Sequence, residues 1–438
     1  MLRNRKRERL LRSGAWLGAM TAAAATSSVI WLGLDPVVSV PLGLGLLGLA
    51  GAVADRWMRR EGGVPILNYH SVSGDQRWLS WVGPISVTPE TFARQLDLLR
   101  ALGCTILSTS ALVMARRNGS ALPRRPVVIQ FDDGYLDNWV AAYPILRRHQ
   151  APATIFALVD FIDPELAPRP SLDDVAAGRC EAGDLRWDGY LNLGELRALQ
   201  AGGLVDVEAH GTDHSHVDTG PEVIAEITPE NWRQLSCLQW RAMTGCRAEW
   251  HRCAAPPALP VGTPVRPHAS ALAARAWLGD RLETDAEYRE RVRAILRRSR
   301  LALGRALGKE ISIFCWPENH TTPAARVLAH EAGFLATTAG IGENRADEPW
   351  QILSRLSVTE GILGWRWTWL DDLWFRASVR LFQGNYYWYG VVTLLLLGRK
   401  LSFTLRRTQA VGRPIALGWP RPRSLVSRLR RANADPGA

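Results

Sequence analysis

A run of β-branched and apolar residues, "VVIQFDDGYLDN" over 127–138, ends in two adjacent carboxylates, Asp132 and Asp133, followed at once by Gly134. A lone Asp-Gly after such a run marks a strand that stops at a turn. Two carboxylates ask for more, because neighbouring residues at a strand end point to opposite sides and can serve one site in two roles, for example metal ligand and general base. Seventy-seven positions after Asp133, a second strand-like segment ends in "EAHGTDHSHV", which sets His210 and His214 at H-x₃-H spacing. Imidazoles four apart can face one metal ion if the segment turns helically, and neutral imidazole is a common ligand for such ions. His216 is a spare candidate, read as a neighbour of the pair.

These segments lie in a rhythm of short strands and helices that starts near residue 64. "VPILNY", "CTIL", "PVVIQF", "ATIFALV", "LVDVEA", "ISIFCW" and "FLATT" read as strands. Between them, Thr88-Pro89-Glu90 opens a capped helix closed by Gly103, "NWVAAYPILRRHQ" and "NLGELRALQAGG" are further helices, and residues 285–307 form a long arginine-rich one. Repeated βα units predict a parallel sheet, a distorted or incomplete (β/α) barrel, whose strand ends open onto one face where active sites form. Residues 217–283, rich in Pro, Trp and Cys, break the rhythm as an insertion.

The chain has 438 residues, 47% of them hydrophobic, enough for one large core with appendages. Its net charge is +11, but residues 1–60 carry +6 and residues 399–438 carry +9, which leaves −4 for the middle. That distribution argues against nucleic acid and for an anionic membrane surface at the two ends. The basic start, "MLRNRKRERLLR", is followed by two uncharged stretches, 14–34 and 36–54, separated by Asp35 and closed by Arg56, Arg59 and Arg60. Each is long enough to cross a bilayer, and basic residues on both flanks predict a transmembrane hairpin with both ends in the cytoplasm. A single span with the second stretch at the interface is the competing topology and would put the rest of the chain in the periplasm. A domain division of 1–60, 61–362 and 363–438 follows, the last part combining an aromatic membrane-interface segment with a basic tail from Arg399. Six cysteines at irregular spacing contain no C-x-x-C pair, and buried free thiols are the expected state.

"QFDDGYLDN" and "AHGTDH" resemble the first two signature motifs of the NodB-like polysaccharide deacetylases, carbohydrate esterase family 4. The resemblance runs from about Val64 to Val358 and includes "VPILNYHSV", "YPILRRHQAPATIFALV", "CWPENHTTPAARVLAHEAGF" and "ILSRLSV". It implies that Asp133, His210 and His214 hold a divalent metal, most often zinc, and that Asp132 is the general base. Two departures accompany it. Many members have an Arg-x-Pro segment whose arginine orients the base, where this chain has Cys315-Trp316-Pro317. The Leu-x-His segment that supplies the general acid has no counterpart after Phe334, and His70 in "ILNYHSV" is the expected substitute. Trp316 and Pro317 are assigned to substrate binding, and Trp78, Trp81, Trp187 and Trp250 can stack on sugar rings.

The resulting expectation is an inner-membrane, metal-dependent hydrolase that removes an N-acyl group, expected to be N-acetyl, from an amino sugar of a polysaccharide or an undecaprenyl-linked saccharide. A cytoplasm-facing barrel favours the lipid-linked form, and a periplasmic one favours exported polysaccharide. The alternative is a catalytically degenerate barrel that binds saccharide or scaffolds an envelope-polysaccharide synthesis complex. The absent arginine speaks for that alternative, and the intact Asp-Asp and His-x₃-His sets speak against it.

Overall fold

The computed structural model describes residues 2–33, 35–59, 62–79 and 81–409. Nine strands form one sheet in which every pairing is parallel: β1 (Ile66–Tyr69), β2 (Thr105–Leu107), β3 (Pro126–Phe131), β4 (Ala153–Ala157), β5 (Val205–Ala209), β6 (Ile313–Cys315), β7 (Ala336–Thr338), β8 (Ile352–Leu353) and β9 (Leu356–Ser357). Their spatial order is β8-β7-β6-β5-β4-β3-β1-β9, and β2 pairs with the first half of β3. All residues of β1 and β4 are buried, as near-continuous apolar runs require when a parallel sheet is covered on both faces. Each fully buried Val, Ile, Leu or Phe on these strands contributes about 1.5–3 kcal/mol.

The two end strands, β8 and β9, are separated in the chain by Ser354 and Arg355 alone. The sheet must therefore curl until its edges nearly meet. No β8–β9 pairing occurs among the described residues, so the barrel is incomplete. Asn344 bridges the seam: its Nδ2 donates to the carbonyls of Val64 (2.9 Å) and Ser354 (2.6 Å), and its Oδ1 accepts from the Ser354 N–H (2.7 Å).

Outside the sheet lie α3 (Pro89–Ala101), α4 (Thr109–Arg117), α5 (Tyr143–His149), α6 (Leu193–Ala201), α8 (Asp285–Leu307) and α9 (Pro323–Glu331), with the insertion helix α7 (Ser236–Ala242) between α6 and α8 in the chain. Thr88 caps α3 with Pro89 at its first position, and Thr284 with Glu287 forms a capping box on α8, as their sequences predict. A π-turn at Asn138–Ala142 precedes α5, so the segment after the two carboxylates is not a single regular helix.

The N-terminal segments form two long helices, α1 (Leu2–Gly33) and α2 (Pro36–Met58). Contacts of Arg12 Nη1 with the Trp57 carbonyl (2.7 Å) and of Ser27 Oγ with the Gly43 carbonyl (3.4 Å) fix them as an antiparallel hairpin. Asp35 turns the corner and caps α2, its Oδ1 accepting from Val37 N (2.8 Å). Where two spans are expected, only α2 among the described residues is long and apolar enough to cross a membrane by length and composition. The centre of α1, "TAAAATSS", is small and hydroxylated, and Thr21, Thr26 and Ser28 turn their hydroxyls onto its own backbone.

After residue 362, α10 (Thr368–Phe382) lies on α3, with Arg94 paired to Asp372 (2.8 Å) and Phe375 and Val379 in the main core. This helix is part of the barrel's coat. The next helix, α11 (Tyr389–Gln409), carries the start of the basic tail, and the remainder of that tail, 410–438, lies outside the described residues.

Candidate active site

The C-terminal ends of β3 and β5 deliver the two motifs to one place. β3 stops at Phe131, and the backbone then enters the left-handed region at Asp133 (φ 70°) and Gly134 (φ 65°). Asp tolerates that conformation better than most side chains, and at the second position glycine avoids the cost altogether. The turn separates the two carboxylates: Asp132 is buried inside the barrel mouth, and Asp133 faces the histidines.

His210 and His214 converge on Asp133 without the helical turn that their spacing suggests. Residues 210–214 are irregular, and Gly211 at φ 102° makes the bend. His210 Nε2 lies 3.3 Å and His214 Nε2 3.7 Å from Asp133 Oδ1. His210 Nδ1 is 2.9 Å from the Cys315 carbonyl, which can only accept, so Nδ1 carries the proton. With Nδ1 so engaged, Nε2 is the ring atom that faces the Asp133 carboxylate oxygen, which is itself buried and without a hydrogen-bond partner among the described residues. An imidazole nitrogen turned toward a buried carboxylate oxygen is an arrangement that fits a cation between them. With His214 they form an N,N,O donor set whose atoms lie within 4.8 Å of one another, suited to a divalent metal.

Asp132 has a different environment. Arg355, buried in the seam between β8 and β9, places Nη1 2.6 and 2.8 Å from its two carboxylate oxygens. Asn68 on β1 donates to Asp132 Oδ2 (3.3 Å) and accepts from Arg355 (3.1 Å), and Asn319 accepts from Arg355 Nε (3.1 Å). Burial opposes ionisation of Asp132, but Arg355, then His210 and His70, outweigh it and hold the carboxyl at about 2. A buried pair with this many additional hydrogen bonds meets the condition under which the attraction offsets desolvation. The arginine missing from the Cys315-Trp316-Pro317 segment is thus supplied from elsewhere, and Cys315 contributes a thiol 3.3 Å from Asp132 Oδ1.

His70 follows β1 and sets Nε2 3.7 Å from Asp132 Oδ2, partly open to solvent. Its loop is held by the rest of the opening stretch: Asn138 Nδ2 donates to the His70 carbonyl (2.9 Å), and Asp137 accepts from Ser71 Oγ (2.5 Å) and Val72 N (3.2 Å). Arg355, Asn68, Asp137 and Asn138 all escape the sequence reading. A signal existed for two of them, since Asp137 and Asn138 close the quoted motif. Arg355 stood in "ILSRLSV" as a charge between apolar strand residues.

Other expectations need correction. Trp316 is 0% exposed and packs edge-on against Phe314 (4.8 Å between centroids), and Pro317 is also buried, so neither offers a face to substrate. Trp250 is likewise closed off, stacked on Trp81 (5.9 Å, 5°) in an aromatic core of the insertion with Trp232 and Trp240. Trp78 packs edge-on against Tyr135 in that cluster, and Trp187 packs on the main core. His216 turns away from Asp133 toward Glu318. All six cysteines are free, but only Cys315 is buried.

Residues 119–256 match the family model described as polysaccharide deacetylase, a stretch that holds Asp132, Asp133, His210 and His214 and stops short of Arg355. The chain is similar to the poly-β-1,6-N-acetyl-D-glucosamine N-deacetylase of Escherichia coli (strain K12), at 27% identity over 183 residues, 36% of this chain and 26% of that protein's length. The alignment thus spans about a quarter of the curated relative. Among solved structures it is similar to a de-N-acetylase from Aggregatibacter actinomycetemcomitans (TM-score 0.48, 20% identity, 67% of this chain and 94% of that one). It is also similar to the BpsB deacetylase domain from Bordetella bronchiseptica (TM-score 0.47, 20% identity, 68% and 96%). Over residues 119–256 the chain is thus similar to the polysaccharide deacetylases, the family its strand-end motifs resemble.

Proposed function

We propose that this protein is a metal-dependent hydrolase that removes the N-acetyl group from an amino sugar, in a polysaccharide or an undecaprenyl-linked saccharide of the cell envelope. The observation that carries the reading is the orphaned Asp133 Oδ1 facing two imidazole nitrogens, beside a second carboxylate locked by Arg355. Asp133, His210 and His214 would hold the metal, for which zinc suits the donor set. When bound, such an ion polarises an acetamide carbonyl and makes water a better nucleophile at neutral pH. Asp132 accepts the proton of the attacking water, and Arg355 with Asn68 fixes the direction in which its oxygens point. His70 gives a proton to the sugar nitrogen as the C–N bond breaks, so that acetate and a free amine leave. The degenerate-barrel alternative loses its main support, since an arginine does reach the base. Acetate release from β-1,6-linked N-acetylglucosamine oligomers by the purified chain, with and without added zinc, tests the reading, and no release under either condition refutes it.

The apolar faces of α2 and α11 support attachment to the inner membrane: Val37, Leu44, Leu49, Leu394, Leu397 and Leu401 are all exposed. Arg9, near the start of α1, pairs with Glu343 of the barrel (3.0 Å from Nε), and Arg59, at the end of α2, bridges to Asn385. One charged end of the hairpin therefore meets the barrel and the other the turn between α10 and α11 beside it, which favours a cytoplasmic barrel by the positive-inside rule. A phosphatase fusion after residue 61 is expected to be inactive and a fluorescent fusion bright. The reverse pattern puts the barrel in the periplasm.

A further inference from the structure

A second set of donors lies where the insertion meets the barrel. The strands His216–Asp218 and His268–Ser270 pair antiparallel, with His216 opposite Ser270 and His268 opposite Asp218. The two imidazoles meet across this ribbon, Nδ1 to Nδ1 at 2.7 Å. Cys237, at the start of α7, completes the group, with Sγ and one nitrogen of each ring within 4.8 Å of one another. All three residues are half-buried. Glu318, a non-glycine residue at φ 56°, hydrogen-bonds His216 Nε2. A carboxylate accepts there, so Nε2 carries a proton, and Nδ1 is the ring nitrogen directed at His268 and Cys237.

We propose that His216, Cys237 and His268 form a second metal site, of the zinc-binding Cys-His type, separate from the Asp133 site. Two imidazole nitrogens and a sulfur are borderline and soft donors that select zinc over magnesium or calcium. The Glu318–His216 contact is the carboxylate–histidine pairing that orients metal-ligating imidazoles. Three half-buried ligands leave a fourth position for water. The site would tie together three segments separated by long stretches of the insertion, adding to the three-residue ribbon that pairs two of them. It also stands next to the first site without sharing a ligand, since Glu318 Oε1 lies 4.0 Å from His214 Nδ1.

The test needs no substrate, so its failure is distinct from failure of the deacetylase reading. The full chain is purified, dialysed and its zinc counted. Two equivalents are expected, falling to one in Cys237→Ser and to one in Asp133→Asn. Loaded with cobalt instead, the wild type and Asp133→Asn should show a thiolate-to-cobalt charge-transfer band that Cys237→Ser lacks. Should Cys237→Ser fail to fold, alkylation of Cys237 in the wild type, mapped by peptide mass, supplies the answer. Zinc added to stripped protein is expected to slow that alkylation by about tenfold or more, because a metal-bound thiolate has given up its free nucleophilic form. A single zinc equivalent without the thiolate band, or alkylation of Cys237 at the same rate with and without zinc, overturns the proposal.

Discussion

Asp133, His210 and His214 hang from the ends of two core strands, whereas His216, Cys237 and His268 hang from a ribbon and a short helix outside the sheet. The first set is fixed by the barrel: β3 and β5 flank β4, and their register decides where the side chains fall. The second has no such frame, and its donors meet only because the insertion folds back on itself. The first includes a carboxylate among its donors and sits beside a second carboxylate locked by Arg355, while the second offers a thiol and has its nearby carboxylate, Glu318, engaged with His216. If both proposals hold, similar donor chemistry would serve different ends, hydrolysis at the rigid mouth and attachment at the insertion.

Asp133→Asn or His210→Ala should sharpen that contrast most. Activity and one metal equivalent are expected to disappear while the fold persists, because a residue beyond a strand end contributes little to the core. Full activity with unchanged metal content in either variant would break the assignment. Asp132→Asn should keep the metal and lose about 10²- to 10⁴-fold in kcat, the usual contribution of a general base. If metal also leaves, the two carboxylates do not divide their roles.

Arg355 tests whether rigidity at the mouth comes from the seam. Arg355→Met strands a buried carboxylate and should cost about 3–5 kcal/mol in denaturant unfolding. Arg355→Lys keeps the charge but loses the planar fork that reaches Asp132 and Asn319 together, and about a tenfold fall in kcat with KM little changed is expected. Equal kcat in wild type and Arg355→Lys would make the arginine a purely structural tie.

The smallest effect concerns Asp137. Burial pushes its carboxyl up to about 7, against the hydrogen bonds from Ser71, Val72 and Asn138. The folded protein thus holds a proton that the unfolded chain releases near 4, so this group's contribution to stability is full below about pH 4 and is lost as pH rises through about 7. Asp137→Asn mimics the protonated form and should unfold at a higher temperature than wild type at pH 8, by an amount corresponding to about 1 kcal/mol or more, with the difference narrowing as pH falls toward 5. A variant less stable than wild type at pH 8 would show that the ionised form is the native one.

Much of this was legible in the chain, for reasons that differ by residue. The alternation of short apolar strands with capped helices gives the curled parallel sheet, because burial on both faces leaves a continuous apolar signature. Asp132, Asp133, His210 and His214 could be read as a set because each pair is local in sequence and follows a strand. Arg355 could not, since its role depends on the sheet curling until β9 lies beside β1, a closure no local pattern encodes. Cys237 and His268 are similarly remote from His216, inside a segment whose irregular composition carries no period. Trp316 misled because an aromatic after a strand reads equally well as a ligand platform or as core. The hairpin was legible as two long helices, whereas the small and hydroxylated residues of α1 make it a weaker span than its lack of charge suggests.

The most direct test of the central claim is acetate release from a β-1,6-linked N-acetylglucosamine oligomer, measured on one preparation as purified, after chelation, and after zinc is returned. The account predicts release that stops on chelation and recovers with zinc in the wild type, but does not recover in Asp133→Asn. Release that continues undiminished in the chelated protein, or that zinc restores equally in Asp133→Asn, would contradict it.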